Sequence, residues 1–279
     1  MDKLVDAQLF DAVEADNVSK AKELLHRGAN PNAKTNSGTS IFDGAICRGS
    51  VEIVNLLLNE GANVNQQSLQ NYTPLMFATV TNHFKIVDIL IKNGADVNAK
   101  EDFGDSALCL AIDKENKEII KSLLDARAEI NVYDRNGMTP LISACVKNHT
   151  IIIELLLKYG ADINKKSIKD YSGKTPLMSI AEKKNLYVVN LLLDKGANIN
   201  AQDDAGWTAL MISSLKGDAE TTEFLLNRGA DVNIPDFQGV TALDIASSKN
   251  HEKIVKLFLS SVANFKKQKN KRKWWQFWK

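Results

Sequence analysis

Apolar residues recur along this chain in short blocks with helical spacing, separated by polar turns at a fixed interval. Runs such as Ile53-Val54 with Leu56-Leu57-Leu58, and Ile152-Ile153 with Leu155-Leu156-Leu157, place apolar side chains on the broad face of a buried helix. Each block ends at a Gly-Ala-Asn/Asp signature, found at Gly28, Gly61, Gly94, Gly160, Gly196 and Gly229, and all but one of the gaps are multiples of 33 residues. The missing copy falls at Arg127. The step from Gly160 to Gly196 carries 3 extra residues near 165–170, and a further step of 33 lands on Val262, a degenerate last copy.

The punctuation inside each period is equally regular. Four residues after the glycine or its substitute comes an asparagine, at Asn32, Asn65, Asn98, Asn131, Asn164, Asn200 and Asn233. A polar turn leads to a hydroxyl, at Ser40, Thr73, Ser106, Thr139, Thr175, Thr208 and Thr241, placed to cap a first helix. Proline follows three of them, at Pro74, Pro140 and Pro176, where a missing N–H costs nothing. Gly49, Asn82, Asn148, Gly217 and Asn250 suit the left-handed backbone of a reversal into a second helix. One such pair cannot bury its own apolar surface, so the pattern predicts an all-α solenoid of stacked helix-turn-helix units. The predicted units are 2–33, 36–67, 69–100, 102–133, 135–166, 171–202, 204–235 and 237–265, a domain over 1–265 followed by a tail over 266–279.

With Tyr72-Thr73-Pro74-Leu75, Met138-Thr139-Pro140-Leu141, Lys174-Thr175-Pro176-Leu177 and the recurring Gly-Ala-Asp-x-Asn in view, the chain resembles the ankyrin repeat family over residues 2–265. The resemblance implies helix pairs with projecting β-hairpin fingers and a binding module without catalysis. Where the family usually has histidine after Thr-Pro-Leu, this chain has Asp43, Met76, Cys109, Ile142, Met178, Met211 and Asp244. Apolar contact is therefore expected to replace the family's histidine network. Lys20-Ala21 near the start, and the loss of both Gly and Asn in the last unit, mark the two ends as terminating caps.

Composition adds exclusions. No apolar run among the 279 residues approaches the ~20 a spanning helix needs. The start, Met1-Asp2-Lys3-Leu4, lacks the basic and apolar regions of a secretory signal, so the expected location is the cytoplasm. Three widely spaced cysteines, Cys47, Cys109 and Cys145, indicate neither a disulfide framework nor a zinc site. His83, His149 and His251 all fall in the turn between the helices of a unit and read as structural, and His26 reads as surface. Gly173-Lys174-Thr175 mimics the end of a phosphate loop, but the glycine required five residues earlier is Ile168. No acid pair, triad or metal cluster stands out, so no catalytic residue, metal or cofactor is expected.

Binding is sought where repeats are free to vary. Tyr72, Phe103, Met138, Tyr171, Trp207 and Phe237 lie in successive finger loops, where solvent alone would favour polar residues, and are expected to project as anchors for a protein partner. The alternative is that some fold back on their neighbours. Late in the first helices stand Arg48, Lys114, Lys147, Lys183, Lys216 and Lys249, a ladder along the concave surface suited to an acidic segment, or simply solvated lysines.

The tail is a different material. Residues 1–265 carry 28 basic against 34 acidic residues, whereas 266–279 carry 7 basic residues and no acid. Lys271, Arg272 and Lys273 run into Trp274, Trp275, Phe277 and Trp278, a combination suited to an anionic membrane surface or to capping the last unit, with nucleic acid disfavoured by the acidic body. The expectation is a monomeric protein-binding scaffold, with tail-driven peripheral membrane contact as the alternative.

Overall fold

Each hydroxyl of the series does cap a helix. In the computed structural model, which describes residues 3–35, 38–169 and 172–261, Ser40 Oγ accepts the backbone N–H of Asp43 at 2.9 Å. Thr73, Ser106, Thr139, Thr175, Thr208 and Thr241 accept equivalent bonds at 3.3–3.4 Å. Each cap satisfies one orphan donor and stabilises its helix by ~1 kcal/mol.

The chain is an all-α repeat solenoid and divides into two compact units, Met1–Arg135 and Asn136–Lys279. The first holds four helix pairs: α1 (Lys3–Glu14) with α2 (Val18–His26), α3 (Ile41–Arg48) with α4 (Val51–Asn59), α5 (Pro74–Val80) with α6 (Phe84–Lys92), and α7 (Ala107–Asp113) with α8 (Lys117–Asp125). First helices pack on first helices, α1 on α3 on α5 on α7, and second on second, α2 on α4 on α6 on α8. In the second unit α9 (Pro140–Lys147) pairs with α10 (Thr150–Lys158), α11 (Pro176–Ala181) with α12 (Leu186–Asp194), and α13 (Ala209–Leu215) with α14 (Ala219–Asn227). Its last first-type helix, α15 (Ala242–Ser248), precedes a helical stretch over 252–261. Here α9, α11, α13 and α15 stack in order. No helix among the described residues is long and apolar enough to cross a membrane.

The reversals between paired helices take the left-handed conformation foreseen at Gly49, Asn82, Asn148, Gly217 and Asn250, with φ between 58° and 76°. Second helices end the same way. Gly94 has φ 85°, and Arg127, in the place of a signature glycine, has φ 65°. A Cβ added at Gly94 would meet nothing within 4 Å, so backbone conformation rather than space selects glycine there.

The rest of the signature is an inter-repeat clamp. The asparagine side chain reaches the next repeat in both directions of hydrogen bonding: Asn65 Oδ1 accepts from Asp96 N at 2.8 Å while its Nδ2 donates to Gly94 O at 3.1 Å. Asn32 does the same to Asn63 N and Gly61 O, and Asn164 to Asn198 N and Gly196 O. Asn98 and Asn200 accept from Glu129 N and Asp231 N. The Asn or Asp two residues earlier turns the chain into place, as where Asp96 Oδ1 accepts from Asn98 N at 2.9 Å. At the start of the chain Asp6 of α1 supplies the missing acceptor, taking Asn30 N at 2.7 Å.

Second helices bury the same three positions in turn: Ile53, Val54 and Leu57 in α4, Ile86, Val87 and Leu90 in α6, Ile152, Ile153 and Leu156 in α10, Val188, Val189 and Leu192 in α12. In α14 the first two are Thr221 and Thr222. Thr222 Oγ1 donates to Asp218 O at 2.7 Å, but Thr221 Oγ1 is buried with no hydrogen-bond partner.

Two expectations follow from these positions. Arg127→Gly should raise stability by up to ~1 kcal/mol and Gly94→Ala lower it by about the same, read as opposite shifts of the urea midpoint at unchanged slope. Thr221→Val, which removes an unsatisfied buried hydroxyl at nearly constant volume, should stabilise by ~1 kcal/mol or more; a lowered midpoint would mean that the hydroxyl has a partner in solution.

Candidate protein-interaction surface

The fingers are narrow turns closed at their base. Glu101 N donates to Asp105 O at 3.1 Å, Asp203 N to Trp207 O at 2.9 Å, and Asp236 N to Val240 O at 2.8 Å. Buried acceptors hold the turn from inside: Asp203 Oδ1 takes the N–H groups of Ala205 and Trp207, and Asp236 Oδ1 those of Gln238 and Val240. Adjacent fingers are joined by main-chain bonds, Asp102 N to Gln70 O in the first unit, Asp204 N to Ser172 O and Phe237 N to Ala205 O in the second. At Gly206 a Cβ would lie 2.7 Å from Phe237 N, so here close approach of the next finger, as well as a φ of 84°, demands glycine.

This geometry separates the expected anchors. Phe237 is 73% exposed and Phe103 55%, both at finger tips. The Arg135 guanidinium stands 5.3 Å from the Phe103 ring centroid and is tied to Asp105 at 2.5 Å, so one face of that ring is covered by a fixed cation. Met138 does not project: it is buried at 5% exposure. Tyr72 is half-buried against Phe77, ring centroids 5.3 Å apart, and Trp207 is half-buried. The reason is common to all three. The residue just before the cap is the base of the finger, its carbonyl bonded back across the turn as in Tyr72 and Trp207, so its side chain turns toward the stack. Tyr171 lies outside the described residues, as do Lys271, Arg272, Lys273, Trp274, Trp275, Phe277 and Trp278. Leu69, 65% exposed, and Ile168, 42% exposed, occupy the same repeat position as Phe237, and both escape a reading that counts back from the helix cap and so favours the base of the finger.

The cationic positions all reach solvent, in unequal settings. Arg48, the last residue of α3, is paired with Glu14 at 2.5 Å. Lys114, Lys216 and Lys249 are the C-caps of α7, α13 and α15, Lys147 ends α9, and Lys183 follows α11. Lysine at a helix C-terminus complements the partial negative charge of the last carbonyls.

The histidines prove architectural where their contacts are described. His83 Nε2 lies 3.1 Å from Cys47 O and His251 Nε2 3.4 Å from Leu215 O, each reaching the repeat before. Burial pushes the Cys109 thiol up to about 11 and Cys145 higher still, and Cys47 is also raised, so no thiol is turned toward a reactive thiolate. Among the described residues no group of three or more metal-ligating side chains occurs.

Replacement of the family histidine takes two forms. Met76, Ile142, Met178 and Met211 are buried at no more than 1% exposure, as expected. Asp43 is buried too, yet its Oδ2 accepts from Ser40 N at 3.4 Å and from the Ser68 hydroxyl. With Cys47, Leu69, Tyr72 and Phe77 it lines a cleft of about 340 Å³. Burial raises the Asp43 carboxyl above its ordinary 3.8, outweighing the hydrogen bonds from Ser68 and Ser40 and the charge of Lys34.

With helix pairs, clamps and fingers in place, the comparison with known families is decisive. The family model for ankyrin repeats, in three copies, matches residues 9–101, 108–203 and 177–270, and the chain belongs to the ankyrin repeat family. A search for curated relatives finds no match. Members of this family are generally protein-binding scaffolds and typically non-enzymatic.

A carboxyl with a raised folded-state pKa binds its proton more tightly when folded than unfolded. Its stabilising contribution is full below the unfolded value and is lost as pH rises through the folded one. Asp43→Asn keeps an acceptor for Ser40 and Ser68 and removes this titration. The stability difference should move in the variant's favour as pH rises from below 3.8, then level off above the folded-state value. Urea denaturation across that range checks it; a slope of opposite sign would show that the carboxylate is favoured by its site.

Proposed function

We propose that this chain is a non-enzymatic scaffold that binds a protein partner through its finger tips and the exposed ends of its first helices, acting as a monomer in the cytoplasm. The observation that carries the reading is the exposure of large apolar side chains at finger tips, Leu69 and Phe103 on adjacent fingers of the first unit, Ile168 and Phe237 in the second. Solvent alone would favour polar residues there, and such side chains dominate protein interfaces when desolvated. The ankyrin family membership supports the same role. Trp207 and Tyr72 contribute less as anchors and more as packing, since both are half-buried.

A second reading is supported by composition alone. The run from Lys266 through Trp278 combines basic residues with interfacial aromatics, which suits an anionic membrane surface and would make the solenoid a peripheral module.

Capture of partners by the full chain separates these readings. A partner held by the wild type should be weakened roughly 30-fold by Phe237→Ala or Phe103→Ala, the cost of one aromatic anchor, and only a few-fold by Lys216→Ala. A partner retained by both Phe variants would remove the finger tips from the interface. Binding that passes to anionic vesicles and disappears on replacing Trp274, Trp275 and Trp278 by alanine would make the tail the primary contact.

A further inference from the structure

The cationic ladder is not uniform, and its unevenness names a partner chemistry. In the first unit the row is interrupted. Arg48 is neutralised by Glu14, the equivalent position in the next repeat is the uncharged Thr81, and Lys114 stands between Asp113 and Glu115, both exposed. The second unit differs. Lys183, Lys216 and Lys249 stand in equivalent places just past the ends of the consecutively packed helices α11, α13 and α15, and Lys184 joins them from the left-handed turn after α11, at φ 56°. All four are exposed, and none makes an ion pair with a described residue.

The acids nearby do not cancel them. Glu182 is engaged by Lys174 at 2.8 Å. Asp218 is buried at 6% and caps α14 through Thr221 N. Glu220 and Glu252, exposed on the second helices that follow, leave the lysines in excess.

We infer that this face of the second unit is a docking strip for an extended acidic segment of a partner protein. The inference rests on the scaffold reading above. Packed helices stand ~8–10 Å apart, and a chain extended as a polyproline II helix advances ~9 Å per turn of three residues and returns every third side chain to the same face. An extended segment with Asp or Glu at every third position therefore presents one carboxylate to each of Lys183, Lys216 and Lys249. A segment with the same acids bunched together cannot meet more than one or two. The strip reads charge spacing, and its grip weakens with salt because every contact is solvent-exposed.

The test uses the full chain and two fluorescein-labelled ten-residue peptides of equal composition in Glu, Ser and Gly, one with glutamate at every third position and one with the glutamates adjacent. Anisotropy at low salt should show tighter binding of the spaced peptide. K183Q/K216Q/K249Q should weaken it about tenfold, the size expected of three exposed pairs, while glutamine at Lys271, Arg272 and Lys273 should leave it unchanged. Thermal melts by circular dichroism confirm that each variant is folded. The inference is overturned if neither peptide binds, if the bunched peptide binds as well, if the triple variant keeps wild-type affinity, or if the tail variant takes the loss. Its failure is distinguishable from that of the scaffold reading: a protein that ignores the peptides but holds a partner through Phe103 or Phe237 is still a scaffold, without an acid-reading strip.

Discussion

The asparagine clamp is the interaction on which the regularity of the stack depends. Apolar burial drives helix pairs together but is non-directional, and a broad face such as that of α4 or α6 could slide along its neighbour at small cost. The amide of Asn65 cannot slide. It satisfies one donor and one acceptor of the next repeat's main chain at once, at Asp96 and Gly94, so neighbouring repeats are fixed in a single register. That register then aligns the caps, brings His83 onto the helix end before it, and sets finger beside finger.

Where the clamp fixes position, the remaining residues are released for other uses. Packing positions recur as Ile, Val and Leu, while the tips carry Leu69, Asp102, Arg135, Ile168, Asp204 and Phe237 at one repeat position, six residues of several chemical types. A scaffold that holds itself together by main-chain clamps and buried second helices leaves recognition to side chains that contribute little to stability. Buried acids such as Glu101, Asp105, Asp203 and Asp236 belong to the holding role, since they brace the turns from within.

Local features of this fold were legible in the sequence because they act within a few residues. The hydroxyl caps, the left-handed reversals and the buried second-helix stripe each leave their mark at a fixed offset. The double role of Asn32, Asn65 and Asn164 was not readable, since their partners lie some 30 residues away on another repeat. The same distance hid the Glu14 partner of Arg48 and the hydrogen bond from Ser68 to Asp43. The site was less legible than the fold. Counting back from the cap located the finger correctly but mistook its base for its tip, and so promoted Met138 and Tyr72 over Leu69 and Ile168. Only the bond from Ser68 N to Tyr72 O, and its counterparts, shows where the turn closes.

The fifth finger shows what that closure permits. Its base is shut by Ser167 N on Lys174 O at 2.9 Å, seven residues apart where its neighbour, Asp203 to Trp207, spans four. The bond has the same length across the longer loop, and Ile168 N still meets Gly137 O on the finger before at 2.8 Å. Loop length above the closure is thereby uncoupled from the architecture beneath it. Each finger is in effect a socket into which a lineage, or an engineer, can splice a new recognition sequence while the underlying stack registers no change.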